Sequence, residues 1–139
     1  MIRLFSAAAF AALALAGPAA AQTPRPDQLA FRELYKELIE INTTLSSGSC
    51  TAAAEAMAGR LKAAGFADED LKIIAPPERP KDGALIAVLK GSDPKARPIL
   101  LLAHIDVVEA NRADWERDPF KLVEEDGFFY ARGASDDKA

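Results

Sequence analysis

His104 is the only histidine among 139 residues. It stands where an apolar run, Pro98-Ile99-Leu100-Leu101-Leu102-Ala103, meets polar sequence, and Asp106 follows two residues later. If the run is a strand that continues through Asp106, alternation puts His104 and Asp106 on the same side. A carboxylate on one ring nitrogen fixes the tautomer and leaves the other nitrogen free for a metal. The competing reading is a single histidine donating a structural hydrogen bond, and one His-x-Asp leaves the two level. Further on, Arg132-Gly133-Ala134-Ser135-Asp136-Asp137-Lys138 carries two adjacent carboxylates. Such a pair between basic residues is ordinarily a solvated turn. Here it follows a hairpin signal and a Gly-Ala-Ser turn, which can return the chain to the sheet end. Imidazole and carboxylate together suit zinc. Two ions about 3.5–4 Å apart can activate one water and polarise one carbonyl. His104 and Asp136 cannot complete such a site alone, because each zinc takes about four ligands.

These residues need elements to position them. Leu29, Phe31, Leu34, Tyr35, Leu38 and Ile39 recur at three- and four-residue spacing, predicting a helix over residues 27–41 with Asp27 as its cap. Residues 42–49 read as a Thr/Ser/Gly loop. A second, alanine-rich helix is predicted over residues 51–64, with Met57 and Leu61 on its buried side and Gly65 as its stop. Residues 71–75 are a short strand candidate, and residues 76–83 a Pro-rich connector. Residues 84–89 and 99–103 read as strands buried on both faces, because their apolar runs are nearly continuous. Two further short strands, residues 121–124 and 128–131, flank Asp126-Gly127, a strong hairpin signal. Helices followed by buried strands predict a layered α/β domain. Open sheets of that class bind ligands beyond the carboxyl ends of their strands, where His104 falls.

The N-terminus has a separate logic. Arg3 is the one charged residue in residues 1–21; an apolar run follows it, then Gly17-Pro18 and Ala19-Ala20-Ala21. That is the plan of a cleaved secretory signal peptide, and the run is too short for the roughly 20 residues a bilayer span needs. The expected mature chain starts near Gln22 and is periplasmic or secreted, with no membrane attachment after cleavage. The net charge is −4, and losing Arg3 makes it one more negative. With no basic block, a nucleic-acid or anionic-membrane partner is not expected. Cys50 is the only cysteine, so no internal disulfide forms and the thiol reads as a small residue near a helix start.

Taken together, Leu102-Ala103-His104-Ile105-Asp106-Val107-Val108, Trp115, Asp118-Pro119-Phe120, Asp126-Gly127, Tyr130 and Arg132-Gly133-Ala134-Ser135-Asp136-Asp137-Lys138 resemble the M20 family of metallopeptidases. That family includes carboxypeptidases, dipeptidases and deacylases of the acetylornithine deacetylase and succinyl-diaminopimelate desuccinylase type. The resemblance implies the N-terminal part of a three-layer αβα zinc-hydrolase catalytic domain with a mixed, largely buried sheet, over residues 22–139. It implies His104 as a zinc ligand, Asp106 as the catalytic residue that holds the His104 ring, and Asp136 as a carboxylate bridging two zinc ions. Asp137 would follow through a peptide bond that is commonly cis in the family, and Lys138 would balance local negative charge. Trp115, Asp118, Pro119 and Phe120 would shape the connecting loop. Ala131 and Ala139 stand where glycine is frequent, and neither removes a ligand.

The family's general base, its remaining ligands and its lid or dimerisation domain lie further along than Ala139, so the expectation is a fragment of an exported di-zinc hydrolase. Its substrate would be a peptide or an N-acyl amino acid, and the full-length protein could form a homodimer. The alternative is a non-catalytic exported binding module built on the half-domain.

Overall fold

The structure is a computed structural model and describes residues 23–139; the predicted leader, residues 1–21, lies outside the described residues. Helix α1 spans Pro26–Glu40. Pro26 suits the first turn, where its missing N–H would have had no partner. The Arg25 N–H is taken by Gln28 Oε1 at 2.9 Å. Asp27 is therefore not the cap: it lies in the first turn and pairs with Arg25 at 2.7 Å. Of the apolar stripe, Tyr35 and Ile39 are buried, while Leu29 and Phe31 near the start stay exposed.

Helix α2 spans Cys50–Ala63. Ser49 caps it, its Oγ accepting from the Ala52 N–H at 3.1 Å, and Gly65 (φ +98°) follows its end as predicted. Its buried positions are Ala53, Ala54 and Ala58, whereas Met57 and Leu61 are only half-buried. Small side chains on that face allow close approach to the hairpin of β1 (Leu71–Ile74) and β2 (Ala84–Ala87). The two strands pair antiparallel, with Leu71 opposite Ala87 and Ile73 opposite Leu85. Leu71 and Ile73 share a cleft with Ala58 and Gly59 of α2, so the helix covers one face of the hairpin. The second hairpin joins β3 (Val123–Glu125) and β4 (Phe128–Tyr130). Asp126 (φ +51°) and Gly127 (φ +80°) form its tight turn, the left-handed pair that the twist of a two-residue hairpin demands.

Helices and strands are thus both present, as an α/β class requires, but the sheets differ from the expected layer. They are two separate antiparallel pairs, and no parallel pairing is made among the described residues. β2 is not buried on both faces: only Leu85 is even half-buried along it. Residues 99–103 are not a strand, and Ile99, Leu100, Leu101 and Leu102 are each 83–89% exposed. The physical reason is that a strand is a pairing rather than a local conformation. Its N–H and C=O groups need a neighbouring ladder, and none lies beside this run among the described residues. No helix of the described residues is long and apolar enough to cross a membrane.

The small core has two parts. Ile39, Ala53, Ala54 and Ala58 form an apolar centre, while Thr43, Thr44, Val107 and Lys138 are buried beside it. The second group joins the loop after α1 to the two segments that carry His104 and Asp136.

Candidate metal centre

His104 sits on an irregular segment, yet its ring is held from both sides. Nδ1 lies 3.1 Å from the main-chain carbonyl oxygen of Asp106 and 3.4 Å from Asp106 Oδ1. A carbonyl only accepts, so Nδ1 carries the proton and donates, and Nε2 of the neutral ring keeps its lone pair. Nε2 faces Asp136 Oδ1 at 3.2 Å and Asp137 Oδ2 at 3.9 Å. The structure therefore brings His104, Asp106, Asp136 and Asp137 together. It does so without a strand at His104, and the nearer contact of Asp106 on the ring is its carbonyl rather than its carboxylate. The Asp106 carbonyl raises the His104 pKa above the ordinary imidazole value; the negative charges of Asp136, Asp137 and Asp106 add to this, and desolvation opposes it.

Two segments remote in sequence must meet for this. Val107 is buried, and Gly133 packs against it so closely that a Cβ at Gly133 would stand 2.8 Å from Val107 Cγ1. Gly133 also has φ +84°, a conformation L side chains rarely adopt. Tyr35 of α1 donates its hydroxyl to the Ala134 carbonyl at 2.8 Å, pinning the Gly-Ala-Ser turn. Phe129 of β4 packs on the same ring, with centroids 5.3 Å apart. Arg132 lies over Trp115, 5.0 Å from its centroid. On the other side, Glu109 accepts from Ser46 N at 2.9 Å and Ser46 Oγ at 2.7 Å, tying the loop after α1 to the His104 segment. Those two bonds hold the Glu109 carboxyl below its usual pKa.

The donor set can be tested against zinc. Two ligands bound tetrahedrally at about 2.0–2.2 Å stand roughly 3.4 Å apart. The 3.2 Å between His104 Nε2 and Asp136 Oδ1 matches that span, and nitrogen with carboxylate oxygen is a zinc-type pair. The fit is that of part of a site: among the described residues no three or more His, Cys, Asp or Glu side chains form a metal cage.

Residues 100–139, the stretch holding all four of these side chains, match the sequence model of peptidase family M20/M25/M40. The chain belongs to the M20 family. It is 35% identical over 118 residues to the human N-fatty-acyl-amino acid synthase/hydrolase PM20D1, covering 84% of this chain and 24% of that protein. Human Beta-Ala-His dipeptidase is 47% identical over 49 residues, 34% of this chain and 10% of the dipeptidase. A carboxypeptidase of Schizosaccharomyces pombe is 40% identical over 57 residues, 39% of this chain and 10% of its own length. The M20 chain thus spans about a quarter of the length of human PM20D1.

Two features of this M20 chain depart from what the resemblance implied. No cis peptide bond occurs among the described residues, so Asp137 follows Asp136 through a trans bond. Trans is the default by about 2.5–4 kcal/mol for a non-proline residue, and the Asp137 N–H is already satisfied by Asp136 Oδ1 at 2.9 Å. Lys138 does not balance the carboxylates. Its Nζ is buried and donates to the Ile41 carbonyl at 2.6 Å and Thr43 Oγ1 at 3.1 Å. Burial away from any carboxylate partner pushes its pKa down to about 8. Thr43, Tyr35 and Val107 were not legible as site residues. Tyr35 lies on the apolar stripe of α1 and Thr43 in the loop after it, and their hydrogen-bond partners lie 62–99 residues away.

Proposed function

We propose that this chain supplies part of the catalytic centre of an exported, zinc-dependent amide hydrolase of M20 type. The observation that carries the reading is the orientation of His104: Nδ1 held by the Asp106 carbonyl, Nε2 aimed at Asp136. In this reading His104 Nε2 and the Asp136 carboxylate would hold zinc, with Asp136 as the carboxylate shared between two ions. Asp106 is the catalytic residue that holds the ring in the ligating tautomer and tunes its basicity. Zinc, when bound, supplies Lewis acidity toward an amide carbonyl and an activated water. The chain's own residues hold the ligands in register and turn Nε2 toward the Asp136 carboxylate. The general base and remaining ligands are assigned to sequence beyond residue 139. Residues 1–21 are assigned as a cleaved leader, on composition, and residues 22–139 as the start of the catalytic domain.

For substrate, a match over 118 residues is to a protein named for N-fatty-acyl-amino acids. That favours an N-acyl amino acid over a peptide; the match to a dipeptidase supports the second reading over a shorter stretch. The test is a panel of N-acyl amino acids and dipeptides given to the full-length enzyme, with and without chelator, beside His104→Ala. Chelator-sensitive amide hydrolysis that His104→Ala abolishes is the expected result. Near-normal turnover and zinc content in His104→Ala would overturn the ligand assignment.

A further inference from the structure

We propose that Thr43 and Lys138 form a buried strut that sets the spacing between His104 and Asp136, making Thr43 a positioning residue for the metal pair. The inference rests on the metal-centre reading above and goes beyond it.

The argument begins with one hydroxyl. Thr43 Oγ1 lies 2.7 Å from the Ile105 carbonyl oxygen and 3.1 Å from Lys138 Nζ. A hydroxyl has one hydrogen. The Ile105 carbonyl can only accept, so that hydrogen goes to Ile105, and Thr43 Oγ1 must accept from the lysine. The order is therefore determined: Lys138 Nζ donates to Thr43 Oγ1, which donates to the Ile105 carbonyl. Ile105 sits between His104 and Asp106, and Lys138 is two residues after Asp136. One side chain thus connects both halves of the centre.

The connection is anchored and dry. The Thr43 carbonyl also accepts from the Val107 N–H at 3.3 Å, giving the His104 segment two bonds to one residue. Lys138 Nζ also donates to the Ile41 carbonyl at the C-terminal end of α1, a position where carbonyls lack helix partners and a cation is favoured. Thr43 is 1% exposed and Lys138 3%. Water cannot easily replace a lost partner there, so loss of one bond leaves a buried group unsatisfied. The rigid end of α1 is therefore the reference point from which both ligand segments are placed. Groups that orient metal ligands affect metal affinity about 10–100-fold when removed.

The test uses the full-length protein, because His104 and Asp136 supply only part of a zinc site. In that protein labelled with ¹⁵N-histidine, the imidazole signals that His104→Ala removes are those of His104, and they report which nitrogen a metal occupies. Zinc is titrated into the parent, Thr43→Val, Thr43→Ser and Lys138→Met, and amide spectra check folding. Thr43→Val keeps the shape and removes both bonds; Thr43→Ser keeps the hydroxyl; Lys138→Met keeps the apolar stem and removes both donations. The expected result is zinc on Nε2 in the parent, with affinity about 10–100-fold weaker in Thr43→Val and Lys138→Met and near parental in Thr43→Ser. If Thr43→Val does not fold, the comparison of Thr43→Ser with Lys138→Met decides by itself. Folded Thr43→Val or Lys138→Met binding zinc as tightly as a parent that uses Nε2 overturns the strut alone. A parent that takes up no zinc on Nε2 overturns the metal reading, and the strut's role with it.

Discussion

Gly133 packs closely on Val107, joining the segment that carries Asp136 to the one that carries His104, and Gly133→Ala measures how tightly the two are held. Two costs are expected. At φ +84° an L side chain in a left-handed conformation costs about 1–2 kcal/mol. The new Cβ would also stand 2.8 Å from Val107 Cγ1, well inside the roughly 3.5–4.0 Å of an ordinary carbon contact. Val107 is 4% exposed and has little room to retreat; such overpacking costs about 1–3 kcal/mol. Relaxation relieves both together, so the combined destabilisation is expected at about 2–4 kcal/mol. Urea unfolding followed by fluorescence is the assay. The single tryptophan, Trp115, has Arg132 over its ring, next to the substituted position. A Val107→Ala background removes the clashing methyl. There Gly133→Ala should cost only the backbone share, leaving a coupling of about 1–3 kcal/mol in the cycle. Equal costs in the two backgrounds would refute the close-approach argument. A cost below about 0.5 kcal/mol in the parent, the level of an ordinary surface change, would refute the backbone argument as well.

Two further outcomes are expected. Tyr35→Phe removes the donor to the Ala134 carbonyl and should cost about 0.5–1.5 kcal/mol; an unchanged unfolding midpoint would mean the Gly-Ala-Ser turn is held by packing alone. Lys138 makes stability depend on pH: its folded pKa is about 8 against an ordinary 10.5. Between those values the unfolded chain holds the proton and the folded chain does not, so stability rises with pH across that window. The rise is at most about 3 kcal/mol. Urea midpoints from pH 7.5 to 9.5 should climb in the parent and flatten in Lys138→Met, and parallel profiles would count against the buried-lysine assignment.

The parts of the fold that were legible in sequence are those whose cause is local. Ser49 and Gly65 bracket α2 because a cap side chain and a left-handed stop act within a turn of the residues they terminate. Asp126-Gly127 makes its hairpin turn because both residues tolerate positive φ. The hydrophobic period placed Tyr35 and Ile39 on the inner face of α1. The run from Ile99 to Leu102 shows the opposite case: its composition suits a strand, but composition does not create the ladder that makes one. Among the site residues, His104 and Asp136 could be singled out by residue type. Thr43-Thr44 stood out in the loop only through a loose resemblance to the family, with nothing to tell Thr43 from Thr44, and the charge of Lys138 suggested the wrong partner. Sequence shows that a lysine follows two aspartates; only the fold shows that a helix end and a threonine hydroxyl hold it instead.

From sequence alone came the donor types, their order along the chain and the family to which they belong, because these depend on residue identity and spacing. The tertiary structure alone decided which nitrogen of His104 faces Asp136, since that follows from where the Asp106 carbonyl lies. It also decided how the two halves of the centre meet. That meeting is set by a missing Cβ at Gly133 against Val107 and by a buried hydrogen-bond chain from Lys138 through Thr43 to Ile105. Contacts across 62 and 95 residues of chain are products of packing, and no local pattern encodes them.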